Sequence, residues 1–251
     1  MFPFLGSRSF NQGEISDSRA YYPAVGLLLG LLLVGVEIGA RELFPVHLTA
    51  ALLLAVLVVG TRALHLDGFM DMCDGLFGGY TKERRLEIMK DTNVGAFAVA
   101  GAASLLILKY GALLSLLSIA DPGKEWWPLL LFPVLSRWCM VVALGAFPYV
   151  RDDGLGSPFH QGGAGFATSI AALTVILMSI LIGGFGGLGL LVGASVLAWL
   201  LGKAMANLLG GLTGDSYGAI NETVEVAVLV AAVALVPHGW IEPLPVLLGE
   251  L

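Results

Sequence analysis

The chain has 251 residues, of which 57% are hydrophobic and only 13% charged, and its net charge is −6. Soluble domains carry about a quarter charged residues, so the composition points to lipid rather than water as the solvent. No basic stripe is present to neutralise phosphates, which argues against a nucleic-acid partner.

The first twenty residues lack a signal peptide's order of charge, apolar core and small-residue cleavage site. Insertion through the first apolar helix is therefore expected. A membrane-spanning helix needs about 20 mostly apolar residues. Seven candidate spans follow in chain order, at residues 23–40, 46–64, 95–119, 126–150, 168–182, 187–201 and 219–236. The fifth is short, and the seventh carries Glu222 and Glu225 near its start. Asp121-Pro122-Gly123 separates the third span from the fourth, and the glycine-rich run 183–187 reads as a tight turn between the fifth and sixth. Trp126, Trp127 and Trp240 suit membrane interfaces. Cys73 and Cys139 form no CxxC pair and read as packing. No repeat or linker divides the chain. The expected fold is all-α: one domain over residues 1–251, a polytopic bundle of about seven spans with cytoplasmic acidic loops.

Lys and Arg placement sets the orientation. With seven spans, Arg8, Arg19, Arg62, Lys82, Arg84, Arg85, Lys90, Arg151 and Lys203 gather on one side, against Arg41 and Lys124 on the other. This places the N-terminus in the cytoplasm, with the protein in the plasma or inner membrane. The polar segments 67–91, 151–160 and 210–222 fall on the same cytoplasmic side.

The first of these opens with His65-Leu66-Asp67-Gly68-Phe69-Met70-Asp71-Met72-Cys73-Asp74-Gly75. Its aspartates recur at i, i+4 and i+7 and share one helix face. Carboxylates so close repel one another, and their desolvation near a bilayer is costly. A divalent cation relieves both problems, and hard oxygen ligands favour Mg²⁺ or Mn²⁺ with substrate phosphates completing the shell. Gly68 and Gly75 leave room for a phosphate or a backbone to approach. The ordinary alternative is an acidic, solvated loop.

Next comes Glu87-Ile88-Met89-Lys90-Asp91-Thr92-Asn93-Val94-Gly95. Residues 83–90 read as a surface-lying amphipathic helix with Leu86 and Met89 facing down. Asp91 is a candidate fourth metal carboxylate, and Lys90 could hold a phosphate oxygen as a point charge. Thr92 or Asn93 could cap the third span. An alternative use for Lys90 and Arg84 is contact with anionic lipid.

The third stretch is Gly210-Gly211-Leu212-Thr213-Gly214-Asp215-Ser216-Tyr217-Gly218, followed by Glu222. Its glycines free backbone amides to face an anion at a helix start, and Asp215 adds another carboxylate. A flexible turn, with Asp215 merely capping the helix, is the plainer reading. Arg137 is intramembrane and could pair with a carboxylate or bind a phosphate. Glu37 and Lys109 are also expected inside the bundle, with Glu37 far from the acids. His65 suits a helix start, a base or a substrate contact. His160 follows Ser-Pro-Phe and reads as solvated.

Taken together, 64–75 and 87–97 resemble the signature of the cobalamin synthase family. So do Tyr22-Pro23-Ala24-Val25-Gly26, Ser136-Arg137-Trp138 and the run 210–222. The matches fall in order along nearly the whole chain. Thr61-Arg62-Ala63 and Met70 depart from the family pattern. The resemblance implies adenosylcobinamide-GDP ribazoletransferase activity in vitamin B12 synthesis. Adenosylcobinamide-GDP would react with α-ribazole or its 5′-phosphate, giving adenosylcobalamin or its phosphate and GMP, with Mg²⁺ as cofactor. In that reading Asp67, Asp71 and Asp74 hold metal, and Asp91 or Asp215 completes a second metal site or takes the hydroxyl proton. Lys90 and Arg137 steady phosphate oxygens; His65, Gly68, Gly214 and Glu222 complete the substrate site.

Two other functions compete. A CDP-alcohol phosphotransferase also places an Asp-Gly…Asp array on membrane helices, but carries Ala-Arg soon after Asp-Gly where this chain has Met70-Asp71. A secondary transporter would show inverted repeats and mid-membrane acids. A purely structural scaffold leaves the acidic cluster unexplained.

Overall fold

The computed structural model describes residues 12–119, 126–150 and 165–236. Arg8, residues 121–123, Lys124, residues 151–160 and Trp240 lie outside the described residues. Short helix α1 (Gln12–Asp17) and a 3-10 turn (Ser18–Tyr21) lead into α2 (Tyr22–Arg41) and α3 (Val46–Gly60). Then follow α4 (Leu64–Gly78), α5 (Lys82–Ile88), α6 (Ala96–Ile119), α7 (Trp126–Ala146), α8 (Gly165–Leu209) and α9 (Gly214–Leu235). No strand forms among the described residues; one isolated bridge joins Tyr149 to Leu212.

Five of these helices are long and apolar enough to cross a membrane, and a sixth crossing arises if the bent pair α3–α4 is one span. Large apolar side chains cover the outside of the bundle, among them Leu28, Ile107, Leu173 and Val192. A water-exposed surface of that kind is not tolerated in a soluble monomer. The protein is a multi-pass membrane protein.

Helix α7 lies inside the bundle and packs most extensively on α2 and α8. The α2–α7 crossing is close because Gly26 and Gly30, one turn apart, present no side chain there. A methyl group at Gly30 would stand 2.8 Å from the Leu130 Cα, and one at Gly26 would meet the Pro133 carbonyl. Small residues at this spacing let membrane helices approach backbone to backbone. Trp127 is buried in the same core.

The expected turn at 183–187 is present. Helix α8 breaks at Gly184, whose φ of 56° and ψ of −143° are not helical. Along a straight helix, Gly187 would lie about 12 Å beyond Ser179. Instead it lies against the Ser179 carbonyl, so the chain doubles back. The two arms are longer than the sequence indicated, reaching Gly165 and Leu209.

Reversal at Gly184 returns the chain to the end of the bundle where α7 finishes. There Leu212 N–H donates to the Pro148 carbonyl at 2.8 Å and Val150 N–H donates to the Leu212 carbonyl at 2.9 Å. Gly211 allows the approach, since a methyl group would stand 2.8 Å from the Pro148 oxygen. Helix α5 closes over the same end. Arg85 donates to the Leu208 carbonyl at 3.4 Å and the Lys82 ammonium lies against Gly210, placing two cations at the negative end of α8.

Between α3 and α4 the chain turns by 85°. Arg62 and Ala63 both take φ near 54°, the left-handed region that ordinary residues avoid. The second expected span therefore ends at Gly60, and α4 runs off at an angle across the bundle end. The acids consequently sit on helices, with Asp67, Asp71 and Asp74 on α4 and Asp215 in the first turn of α9; only Asp91 lies in a loop.

Candidate active site between α4 and α9

Helices α4 and α9 cross at glycines. A methyl group at Gly68 would stand 2.9 Å from the Asp215 Cα, and one at Gly218 would stand 2.8 Å from the His65 carbonyl oxygen. This contact brings the first aspartate of α4 to the start of α9. Gly214 differs: nothing lies within 4 Å of the place a methyl group would occupy, so packing leaves its side open.

The start of α9 is held by Thr213, whose hydroxyl accepts from the Ser216 N–H at 3.3 Å while the Ser216 hydroxyl accepts from the Thr213 N–H at 3.1 Å. Such a reciprocal cap satisfies two otherwise orphaned donors. Capping is thus done by Thr213, whose hydroxyl also donates to the Asp215 carboxylate at 3.4 Å. The helix begins at Gly214, earlier than the sequence indicated.

Two cavities open at this crossing. One, of about 320 Å³, is bounded by Tyr22 of α2, His65, Asp67 and Gly68 of α4, Met140 and Leu144 of α7, and Gly214, Asp215 and Tyr217 of α9. Apart from its acids and His65, its walls are apolar or aromatic. The other, of about 330 Å³, is polar and is bounded by Asp67, Asp71, Asp74, Lys90, Asp91 and Asn93. Asp67 borders both cavities.

The aspartates of α4 divide their work. The two oxygens of Asp74 accept the N–H groups of Gly95 at 2.7 Å and Ala98 at 2.8 Å. Asp74 therefore caps α6, the part expected of Thr92 or Asn93. Asn93 instead donates its backbone and side-chain N–H to Asp91, at 3.0 and 2.7 Å. The Asn93 backbone N–H, then its side chain, hold the Asp91 carboxyl below the ordinary carboxylate range. Gly75 receives the Met89 side chain, and the Arg85 carbonyl oxygen lies 3.2 Å from the place a methyl group would occupy.

Arg137 and Glu222 meet inside the bundle. Lys109 of α6 donates to Glu222 at 2.5 Å and to Glu225 at 2.7 Å. Arg137 pairs with Glu225, which also accepts from Asn221 at 3.2 Å. Two cations and two carboxylates compensate one another, which makes burial of all four tolerable. Ser136 donates to Glu225 as well, and Trp138 donates to Ser195 of α8 at 3.0 Å, so the Ser136-Arg137-Trp138 element ties α7 to two neighbours. Glu37 pairs with Arg41 at 2.5 Å, away from the acids. Cys73 and Cys139 are buried and unbonded.

Sequence reasoning missed Glu225, Tyr22, Tyr217, Met140 and Leu144. Charge balance could have found Glu225, because Lys109 and Arg137 needed two intramembrane anions. Tyr22 and Tyr217 stood inside quoted motifs. Met140 and Leu144 left no signal, being apolar positions in an apolar helix.

Among the described residues, no three His, Cys, Asp or Glu side chains converge closely enough to hold a metal alone. Mg²⁺ commonly takes one or two carboxylates and leaves the remaining positions to water and phosphate. Asp67 and Asp71, one turn apart on α4 beside the polar cavity, fit that demand.

These features define a polytopic membrane protein with a candidate active site at one end of the bundle. The chain belongs to the cobalamin-5-phosphate synthase family, whose profile matches residues 1–233. Proteins named adenosylcobinamide-GDP ribazoletransferase are similar to it. Those of Desulforamulus reducens, Syntrophobacter fumaroxidans and Pseudomonas entomophila are 38%, 39% and 40% identical, over 91%, 93% and 89% of this chain and 90%, 93% and 90% of theirs. No solved structure matches the chain.

Proposed function

We propose that this protein transfers the cobinamide phosphate of adenosylcobinamide-GDP to α-ribazole, or to its 5′-phosphate, releasing GMP. The product is adenosylcobalamin or its phosphate. The names of the similar proteins support the substrates. The observation that carries the assignment is the α4–α9 crossing, which sets Asp67, Gly214 and Asp215 around one cavity with Asp71, Lys90 and Asp91 in the next.

A ribose hydroxyl oxygen of the ribazole, one that stays free in the 5′-phosphate, attacks the phosphorus bonded to cobinamide. The bond from that phosphorus to the bridging oxygen breaks, GMP leaves with the bridging oxygen, and the hydroxyl proton passes to a carboxylate of the site. Such a reaction needs mainly positioning and neutralisation of charge. Lys90 supplies a cation beside the polar cavity, and the first turn of α9 directs backbone N–H groups toward an anion at Gly214. Asp67 and Asp215 stand where a hydroxyl proton can be accepted. Asp67 and Asp71 would hold Mg²⁺, which when bound neutralises diphosphate charge. Arg137 and Glu222 act through the buried ion network that fixes α9 against α6 and α7.

The topology proposed with this function has seven crossings, the N-terminus in the cytoplasm and the site facing the cytoplasm from the inner membrane. The basic residues of α5 and Lys90 at the site end support it under the positive-inside rule.

The test is GMP release by the purified protein from adenosylcobinamide-GDP. Release that requires α-ribazole or its 5′-phosphate is the expected result. Absence of ribazole-dependent release from folded protein in Mg²⁺ buffer would refute the assignment.

A further inference from the structure

The mechanism above uses the acids of the 320 Å³ cavity and leaves its apolar walls without a purpose. Tyr22, Met140, Leu144 and Tyr217 converge from three helices on a space inside a membrane protein, beside two carboxylates. His65 also borders it, and the Nδ1 of His65 is buried without a hydrogen-bond partner among the described residues. A buried polar atom of this kind costs stability unless a ligand satisfies it. The cavity therefore calls for a compact ligand with an apolar, planar body, one polar ring atom, and a hydroxyl reaching the acids.

Resting on the transferase reading, we infer that this chamber holds the benzimidazole base of the ribazole, with His65 facing its free ring nitrogen and the attacking ribose hydroxyl beside Asp67. The other groups of the two substrates fit less well. Guanine carries several donors and acceptors that Met140 and Leu144 cannot satisfy, and burying them unpaired is costly. The corrin ring is far larger than a 320 Å³ space. A methylated benzimidazole offers two aromatic faces to the tyrosines and only one free nitrogen. The polar cavity then receives the diphosphate, and the two compartments meet at Asp67, where the new bond must form.

An adjoining apolar groove shares Tyr22, Leu64, His65 and Met140 with the chamber and runs out to lipid-facing Val25, Leu28 and Leu32. A lipid tail is thus the rival occupant.

The test compares initial rates of GMP release in lipid–detergent micelles while each substrate is varied. Leu144→Phe fills the chamber and should raise the ribazole KM about tenfold or more, the scale of a pocket steric change. The KM for adenosylcobinamide-GDP should stay within twofold. Lys90→Ala should give the opposite pattern. On the wild-type protein, which involves no folding risk, the riboside lacking both ring methyl groups should show a KM raised about tenfold. An unchanged ribazole KM in Leu144→Phe overturns the inference, as does an equal rise for both substrates or indifference of the wild type to the ring methyls. A changed lipid requirement in Leu144→Phe with an unaltered ribazole KM overturns it in favour of the lipid tail. Wild-type protein that releases no GMP with any nucleoside overturns the transferase reading and the chamber with it.

Discussion

Gly68 lies against the backbone of Asp215, so that α4 and α9 touch with no side chain between them; a methyl group at Gly68 would stand 2.9 Å from the Asp215 Cα and 3.0 Å from its oxygen. Backbone atoms cannot swing aside as a flexible side chain can. Gly68→Ala should therefore push the helices apart, at a cost of about 1–3 kcal/mol, and lower turnover. Gly214→Ala meets no atom within 4 Å and should leave the melting temperature nearly unchanged. Its turnover should still fall, because the added methyl enters the substrate space. Thermal unfolding in detergent and GMP release, measured on both variants, separate the two effects. Equal destabilisation of the pair would show that the crossing is looser than described.

Asp71 and Asp74 are three residues apart on α4 but serve different ends. Asp74 accepts from Gly95 and Ala98 and caps α6. Asp74→Ala should cost about 1 kcal/mol of stability, the usual loss for a removed cap. Asp71→Asn should keep the fold and lose about 100-fold or more in rate, the scale of removing one group that stabilises developing charge. Raising Mg²⁺ should restore part of the Asp71→Asn rate. A near-normal rate at limiting Mg²⁺ would remove Asp71 from the metal site.

Asp91 offers a pH test. Its carboxyl is held below the ordinary range by the Asn93 N–H groups, so it stays ionised to lower pH than a free aspartate. The folded-state pKa is depressed, so these bonds contribute to stability above the unfolded value, and the contribution disappears as pH falls through the folded value. Asn93→Ala should let the Asp91 pKa rise. If Asp91 serves the reaction in its ionised form, the acidic limb of kcat/KM moves to higher pH in that variant. An unmoved limb would assign Asp91 to loop structure alone.

The buried ion network gives a prediction about Arg137. Replacing one member of a buried pair leaves its partner uncompensated, typically at a cost of 3–5 kcal/mol. Arg137→Met should therefore lower the melting temperature sharply. The paired change Arg137→Met with Glu225→Gln should recover part of that loss. A variant Arg137→Met with wild-type stability and only a raised KM for adenosylcobinamide-GDP would place Arg137 on a phosphate instead.

Much of this layout was legible in the sequence because membrane helices announce themselves by length and apolarity. The i, i+4, i+7 aspartates fixed a helix face at α4, and the glycines at 183–187 marked the reversal at Gly184. Long-range polar contacts were not legible. Asp74 caps a helix that begins 22 residues further on, whereas capping patterns in sequence are local. The 85° turn rests on left-handed Arg62 and Ala63, residue types that give no hint of that conformation. The chamber walls escaped notice for a third reason: Met140 and Leu144 are indistinguishable from lipid-facing residues until the helices are assembled.

That turn is itself testable. A left-handed residue other than glycine costs about 1–2 kcal/mol. Ala63→Gly should relieve part of this and raise the melting temperature, with turnover preserved because no cavity wall changes. Destabilisation instead would mean that Ala63 is not left-handed in the folded protein.

The central claim is that α4 and α9 build a single site, and a double-mutant cycle on Asp67 and Asp215 tests it most directly. Ribazole-dependent GMP release would be measured for Asp67→Asn, Asp215→Asn and the double variant, with folding checked by thermal unfolding. Groups that act as a unit are strongly non-additive. The double variant should be no slower than the slower single variant by more than a few-fold. Losses that multiply across the two positions, or an Asp215→Asn variant with the wild-type rate, would contradict the claim.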